Sequence, residues 1–177
     1  EKELSERFNI KSFMADASVD GAPLPDENFH FIPKFLGSRT RDEFITLSDW
    51  LDQSVADCDK DMILQMDIEG YEYDVLMYED SSTLASFSAL IIEFHKLQKL
   101  FERDFLRMAS ATFEKLYKDF SICHVHPNNN CGIASLDGID IPRNIEVTFI
   151  RNDLLDRFSN TQPLSLPHKL DVKCVAG

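Results

Sequence analysis

Met62-Ile63-Leu64-Gln65-Met66-Asp67-Ile68-Glu69-Gly70-Tyr71-Glu72 reads as a strand, a polar turn and the start of a helix. Residues 62–66 form a nearly continuous apolar run of strand length. Such runs mark strands covered on both faces, as in parallel sheets. Asp67 and Glu69 stop the run and Gly70 permits a turn. Tyr71, Val75, Leu76 and Tyr78 then return at helical spacing over residues 71–78.

The same grammar extends to either side. After a short helix-like opening at residues 1–8, residues 10–15 read as a strand that ends on Asp16. Residues 18–27, with Gly21, Pro23 and Pro25, form a loop. Residues 29–36 read as a second strand, which Pro33 pushes toward a sheet edge or a bulge. Residues 46–55 open on hydroxyl side chains and space Leu47, Trp50 and Leu51 as a short helix. A fourth strand at 89–92 ends on Glu93-Phe94-His95. Residues 96–119 carry Leu97, Leu100, Phe101, Phe105, Met108, Phe113, Leu116 and Tyr117 in the pattern of one long core-facing helix. Residues 121–126 and 145–151 supply the fifth and sixth strands. This alternation predicts an α/β fold, a mainly parallel sheet with helices on both faces. Without a repeat or low-complexity linker, residues 1–177 are expected to form a single domain.

Composition narrows the function. A chain of 177 residues, 44% hydrophobic with 14 Phe, can bury one ordinary core, and 6 Gly with 7 Pro argue against disorder. The net charge of -13 speaks against nucleic acid as a partner, because phosphate contacts need clustered Lys and Arg. There is no apolar run long enough to span a membrane and no basic-then-apolar leader. The chain opens on Glu1 rather than Met, so this reading does not extend to a signal upstream. Cys58, Cys123, Cys131 and Cys174 match neither a zinc ribbon nor a compact disulfide framework. They read as free thiols of a reducing compartment, which points to the cytoplasm.

Polar residues gather at the carboxyl ends of the expected strands, where open α/β sheets bind ligands. They are Asp16; Asp67 and Glu69; Glu93 and His95; and His124 and His126 followed by Asn128, Asn129 and Asn130. Each alone has an ordinary reading as a cap or turn former. Recurrence at four strand ends favours a site. Residues i and i+2 of a strand share a face, so Asp67 with Glu69, Glu93 with His95, and His124 with His126 form same-side pairs if each strand continues that far. Such pairs suit a divalent metal or an acid and base beside a substrate hydroxyl. The ligand types are compatible with a divalent ion, but His-x-His is a weak motif and no metal is assigned. No Gly-x-Ser-x-Gly elbow, Gly-x-x-x-x-Gly-Lys phosphate loop or Gly-x-Gly-x-x-Gly turn is present.

The strand ending in Asp67-Ile68-Glu69-Gly70, followed by the aromatic Tyr71 and the acid Glu72, resembles the signature of FkbM-like methyltransferases. Leu90-Ile91-Ile92-Glu93-Phe94-His95 resembles that family's next strand, and residues 46–51 resemble the short segment before the signature. The likeness spans roughly residues 10–151. It implies the Rossmann-like class I methyltransferase fold, a seven-stranded sheet with a late antiparallel hairpin that would include residues 145–151. It also implies a first strand and Gly-rich turn that should precede Glu1. By the same resemblance, Asp16 matches the acid that holds the cofactor ribose. Asp67 and Glu69 match the acids beside the methionine part of the cofactor and the acceptor.

The resemblance implies methyl transfer from S-adenosylmethionine to an oxygen, expected to be a hydroxyl of a sugar or other small molecule. On this reading His126 is the first choice for the base and His95 the second. Asp67 and Glu69 orient the acceptor and offset the sulfonium charge, and Glu93, Asn128 and Asn129 contact the acceptor. The alternatives are a metal-dependent hydrolase using Asp67, Glu93, His95 and His126, and a non-catalytic interaction domain of the same fold.

Overall fold

The computed structural model describes residues 1–55, 61–158 and 171–172. The chain divides into two units, Glu1–Cys58 and Asp59–Gly177.

The first unit opens with α1 (Lys2–Phe8), which Asn9 ends in the left-handed conformation. β1 (Ser12–Ala15) pairs in parallel with β2 (Phe29–Ile32), and Phe13 stacks on its register partner His30 at 4.8 Å. The side-chain amide of Asn28 donates to Ser5 Oγ (3.1 Å) and to Asn9 Oδ1 (3.0 Å), tying the entry of β2 to α1. The single strand expected over residues 29–36 is two. Pro33 has no N–H to continue a ladder, and the chain resumes as β3 (Phe35–Leu36), paired in parallel with the unforeseen β4 (Phe44–Ile45). α2 (Leu47–Ser54) starts where the hydroxyl residues predict. Thr46 caps it, Oγ1 accepting the Asp49 backbone N–H at 3.1 Å.

The second unit holds β5 (Met62–Met66), α3 (Glu72–Tyr78), α4 (Ser81–Leu84), β6 (Phe87–Phe94), a 3-10 turn (Leu97–Phe101) and α5 (Arg103–Leu116). β7 (Phe120–Pro127), β8 (Ile133–Leu136), β9 (Ile139–Pro142), β10 (Ile145–Arg151) and a second 3-10 segment (Asn152–Phe158) complete it. Its four-stranded sheet has the order β5-β6-β10-β7. β5 and β6 are parallel, while β10 lies between β6 and β7 antiparallel to both. The α/β class therefore holds, but this sheet is mixed rather than mainly parallel. A strand's own residues do not encode its neighbour's direction, and the short β8–β9 hairpin returns the chain to run β10 the opposite way.

β5, β6 and β7 thus share a direction and bring their carboxyl ends to one edge. Tyr73 of α3 and Phe113 of α5 both lie against Phe94 of β6, at ring separations of 5.5 and 4.8 Å, and Phe113 also meets Phe149 of β10. The two helices therefore cover one face, where Leu64, Met66, Leu90, Ile92, Phe94, Val147 and Phe149 are buried. Full burial of each such side chain stabilises by about 1.5–3 kcal/mol. The opposite face carries Gln65, Glu93, Glu146, His124 and His126 by the same register.

The long helix expected over residues 96–119 is interrupted. Glu102 is extended (φ -97°, ψ 129°) and separates the 3-10 turn from α5. The ammonium of Lys115 in α5 then donates to the carbonyls of Leu76 (2.7 Å), Met77 (3.1 Å) and Glu79 at the end of α3. No helix among the described residues is long and apolar enough to cross a membrane. Cys123 and Cys131 are free thiols, whereas Cys58 and Cys174 lie outside the described residues.

Candidate functional site

Gly70 permits the turn after β5 as the sequence suggests, but the preceding residue also departs from ordinary backbone. Glu69 has φ 58° and Gly70 φ 100°, which aims the Ile68 and Gly70 N–H groups inward. Both are accepted by Glu72 Oε1, at 3.2 and 3.0 Å, from the first turn of α3. Across the sheet, Lys96 after β6 is also left-handed, with φ 63°. Non-glycine residues held in this region cost of order 1–3 kcal/mol each and concentrate at functional sites.

This backbone gathers carboxylates around His95, which is almost fully buried. Nδ1 of His95 lies 2.9 Å from Glu72 Oε1 and 3.2 Å from the Glu93 carbonyl oxygen. The carbonyl only accepts, and Glu72 Oε1 already accepts two backbone N–H groups, so the ring proton belongs on Nδ1. Nε2 is left facing Asp67 Oδ1 (3.6 Å), Glu69 Oε2 (3.6 Å) and Glu93 Oε1 (3.7 Å). Glu93 is held in turn by the side-chain amides of Asn128 (3.0 Å) and Asn144 (3.1 Å). The Tyr73 hydroxyl donates to the His95 carbonyl at 3.2 Å, and burial pushes the phenol well above its ordinary pKa, keeping it a donor.

Partial burial raises the pKa of Asp67 above the usual carboxylate value, and the Glu93 carboxylate adds to the rise while His95 opposes it. Negative charge packed this closely favours a cation or a proton. Glu72 is fully buried, and its Oε2 has no hydrogen-bond partner among the described residues.

Of the residues singled out in the sequence, Asp67, Glu69, Glu93 and His95 are brought together. Asn128 reaches this cluster, but its side chain is occupied, donating to Glu93 while its Oδ1 accepts from the Asn130 backbone. Asn129 is exposed beside it. His126 is not in the cluster. Glu146 is the register partner of both Glu93 and His126, so His126 lies two strands away, about 10 Å at ordinary sheet spacing. Asp16 belongs to the first unit. It follows β1 and accepts the Ser18 N–H at 2.7 Å, and hydrogen bonds from Ser18 lower its pKa.

Glu72 stands in the signature stretch but was not assigned a site role from the sequence, and Asn144 was not singled out at all. The signal for Glu72 was an acid in the first turn of a helix, two residues past a glycine, where it can reach back to turn amides. Asn144 gave none, because its contact with Glu93 spans 51 residues.

Two groups of described residues place three ligand atoms close enough to share an ion: Asp67, Glu72 and His95, and His124, His126 and Asp171. In the first, Glu72 Oε1 is already taken by two amides and the imidazole.

A family model described as the methyltransferase FkbM domain matches residues 10–118. No curated protein and no solved structure matches the chain.

Proposed function

Since the chain belongs to the methyltransferase FkbM domain family, we propose that it transfers a methyl group from S-adenosylmethionine to a hydroxyl of a sugar or other small molecule. The supporting observation is the Glu72–His95 pair, with Nε2 turned toward Asp67, Glu69 and Glu93 at the carboxyl ends of β5 and β6. The donor set fits the cofactor's chemistry, since clustered carboxylates suit its positive sulfonium and ammonium groups. When bound, S-adenosylmethionine supplies an electrophilic methyl group on a sulfur that leaves as a neutral thioether.

The protein's own task is alignment and removal of one proton. Glu72 fixes the ring and its tautomer, leaving the Nε2 lone pair to take the acceptor's hydroxyl proton, the logic of a base oriented by a carboxylate. Asp67 and Glu69 orient the acceptor and offset positive charge, while Asn128 and Asn144 hold Glu93 in place. Asn129 is proposed to touch the acceptor. His95 replaces His126 as the first choice for the base, because of these two His95 is the one that meets the carboxylate cluster.

Calorimetric titration of the protein with S-adenosylhomocysteine, followed by transfer of labelled methyl to a panel of sugars and small alcohols, tests the reading. Saturable binding and labelled ether products are expected. Absence of both removes it.

A further inference from the structure

On the sheet face opposite α3 and α5, the geometry points to a transition-metal site of the zinc class formed by His124, His126 and Asp171. His124 and His126 are two residues apart on β7, on one face, with their rings nearly parallel at 14°. His124 Nε2 lies 3.1 Å from Asp171 Oδ1, and His126 Nδ1 lies 3.8 Å from the same oxygen. All three ligand atoms fall within 4.8 Å of one another.

Ligands bonded at about 2.0–2.2 Å to a tetrahedral ion stand roughly 3.3–3.5 Å apart, and the two observed separations bracket that value. Small side-chain rotations would admit an ion. Two imidazoles and one carboxylate select Zn²⁺ and its first-row neighbours over Ca²⁺ or Mg²⁺, which prefer oxygen ligands. Three protein ligands leave a tetrahedral ion one position for water or an incoming ligand. Glu146, opposite His126 on β10, adds negative charge beside the site, and the chain's net charge of -13 favours cation approach. The ion would also tie Asp171 to β7. None of this depends on the methyl-transfer reading.

The test is Zn²⁺ titration of the EDTA-treated full chain by calorimetry, with bound metal counted after dialysis. One Zn²⁺ per chain is expected. His124→Ala, His126→Ala and Asp171→Asn should each weaken binding by more than the roughly 10–100-fold that loss of an outer-shell partner costs, while His95→Ala leaves it unchanged. His124→Cys keeps a ligand, so its Co²⁺ form should bind and show thiolate-to-metal charge-transfer absorption. Circular dichroism in EDTA checks that each variant is folded. The proposal is overturned by no zinc uptake, by uptake that survives all three ligand substitutions, by loss in His95→Ala instead, or by a Co²⁺-loaded His124→Cys protein without the charge-transfer band.

Discussion

The Lys96 ammonium donates to the Gly70 carbonyl at 3.3 Å, and the Lys96 side chain fills the space a Gly70 Cβ would need. The two turns that carry the site are therefore fitted to each other. Glu69 and Asp67 lie just before Gly70, and His95 immediately precedes Lys96.

Gly70→Ala is expected to destabilise by about 1–3 kcal/mol, since it combines a positive φ with a steric clash. In a Lys96→Ala background the clash is gone and the φ cost remains, so the same substitution should cost less. Denaturant titration of the four proteins in this cycle gives the coupling. Strict additivity would show that the two side chains are not in contact.

His95→Ala is expected to lower methyl transfer by about 10²–10⁴ with cofactor affinity nearly intact. Glu72→Gln should also cut the rate, because it disturbs the ring's tautomer, while a conservative shape preserves the turn amides. Steady-state kinetics beside a binding titration separate base loss from site collapse. A full-rate His95→Ala with an inactive His126→Ala would return the base role to His126.

Asp67 supplies a pH test with a definite sign. Its folded pKa is raised, so the native state holds that proton more tightly than the unfolded chain, whose Asp titrates near about 3.9. Its contribution to stability is therefore most favourable below that value and is lost as pH rises through the folded pKa. Asp67→Asn should be more stable than the parent at neutral pH, with the difference shrinking in acid and methyl transfer impaired throughout. Urea midpoints across pH 4–8 check this, and a gap that widens in acid contradicts it.

Lys115→Met keeps the stem and removes the ammonium from three carbonyls at the end of α3. The expected loss is about 1–3 kcal/mol, read as a lower thermal midpoint. Burial lowers the Lys115 pKa, so the charged cap should also weaken at alkaline pH before an ordinary lysine would titrate. A midpoint unaffected by the substitution would show that water replaces the cap.

What could be read in advance was local. The run at residues 62–66 ends where β5 ends, residues 145–151 coincide with β10, and Thr46 caps α2 as its hydroxyl suggests. Asp67, Glu69, Glu93 and His95 also converge, but for Asp67 and Glu69 the turn after β5, with Glu69 at φ 58°, does this rather than strand alternation. The misses came from two sources. One was local chemistry passed over. Asp137-Gly138 is a two-residue hairpin signal, and both residues have positive φ between β8 and β9. The other was long-range. The Asn144–Glu93 bond and the meeting of Asp171 with His124 depend on partners remote in sequence, whereas the antiparallel run of β10 agrees with what the family resemblance implied for residues 145–151.

The insertion of β10 between β6 and β7 has a kinetic meaning. Among the described residues β7 pairs with β10 alone, so it does not join this sheet as it leaves the ribosome but waits for β10, which is made later. Two ladders must close together around β10, across loops of very different length, and loop closure is paid before the contacts reward it. Until Ile145–Arg151 arrives, β6 and β7 each present an unpaired edge of the kind that invites association with other chains. Synthesis that stalls in the β8–β9 hairpin would leave both edges open at once, so the aggregation hazard of the growing chain is concentrated in that short interval.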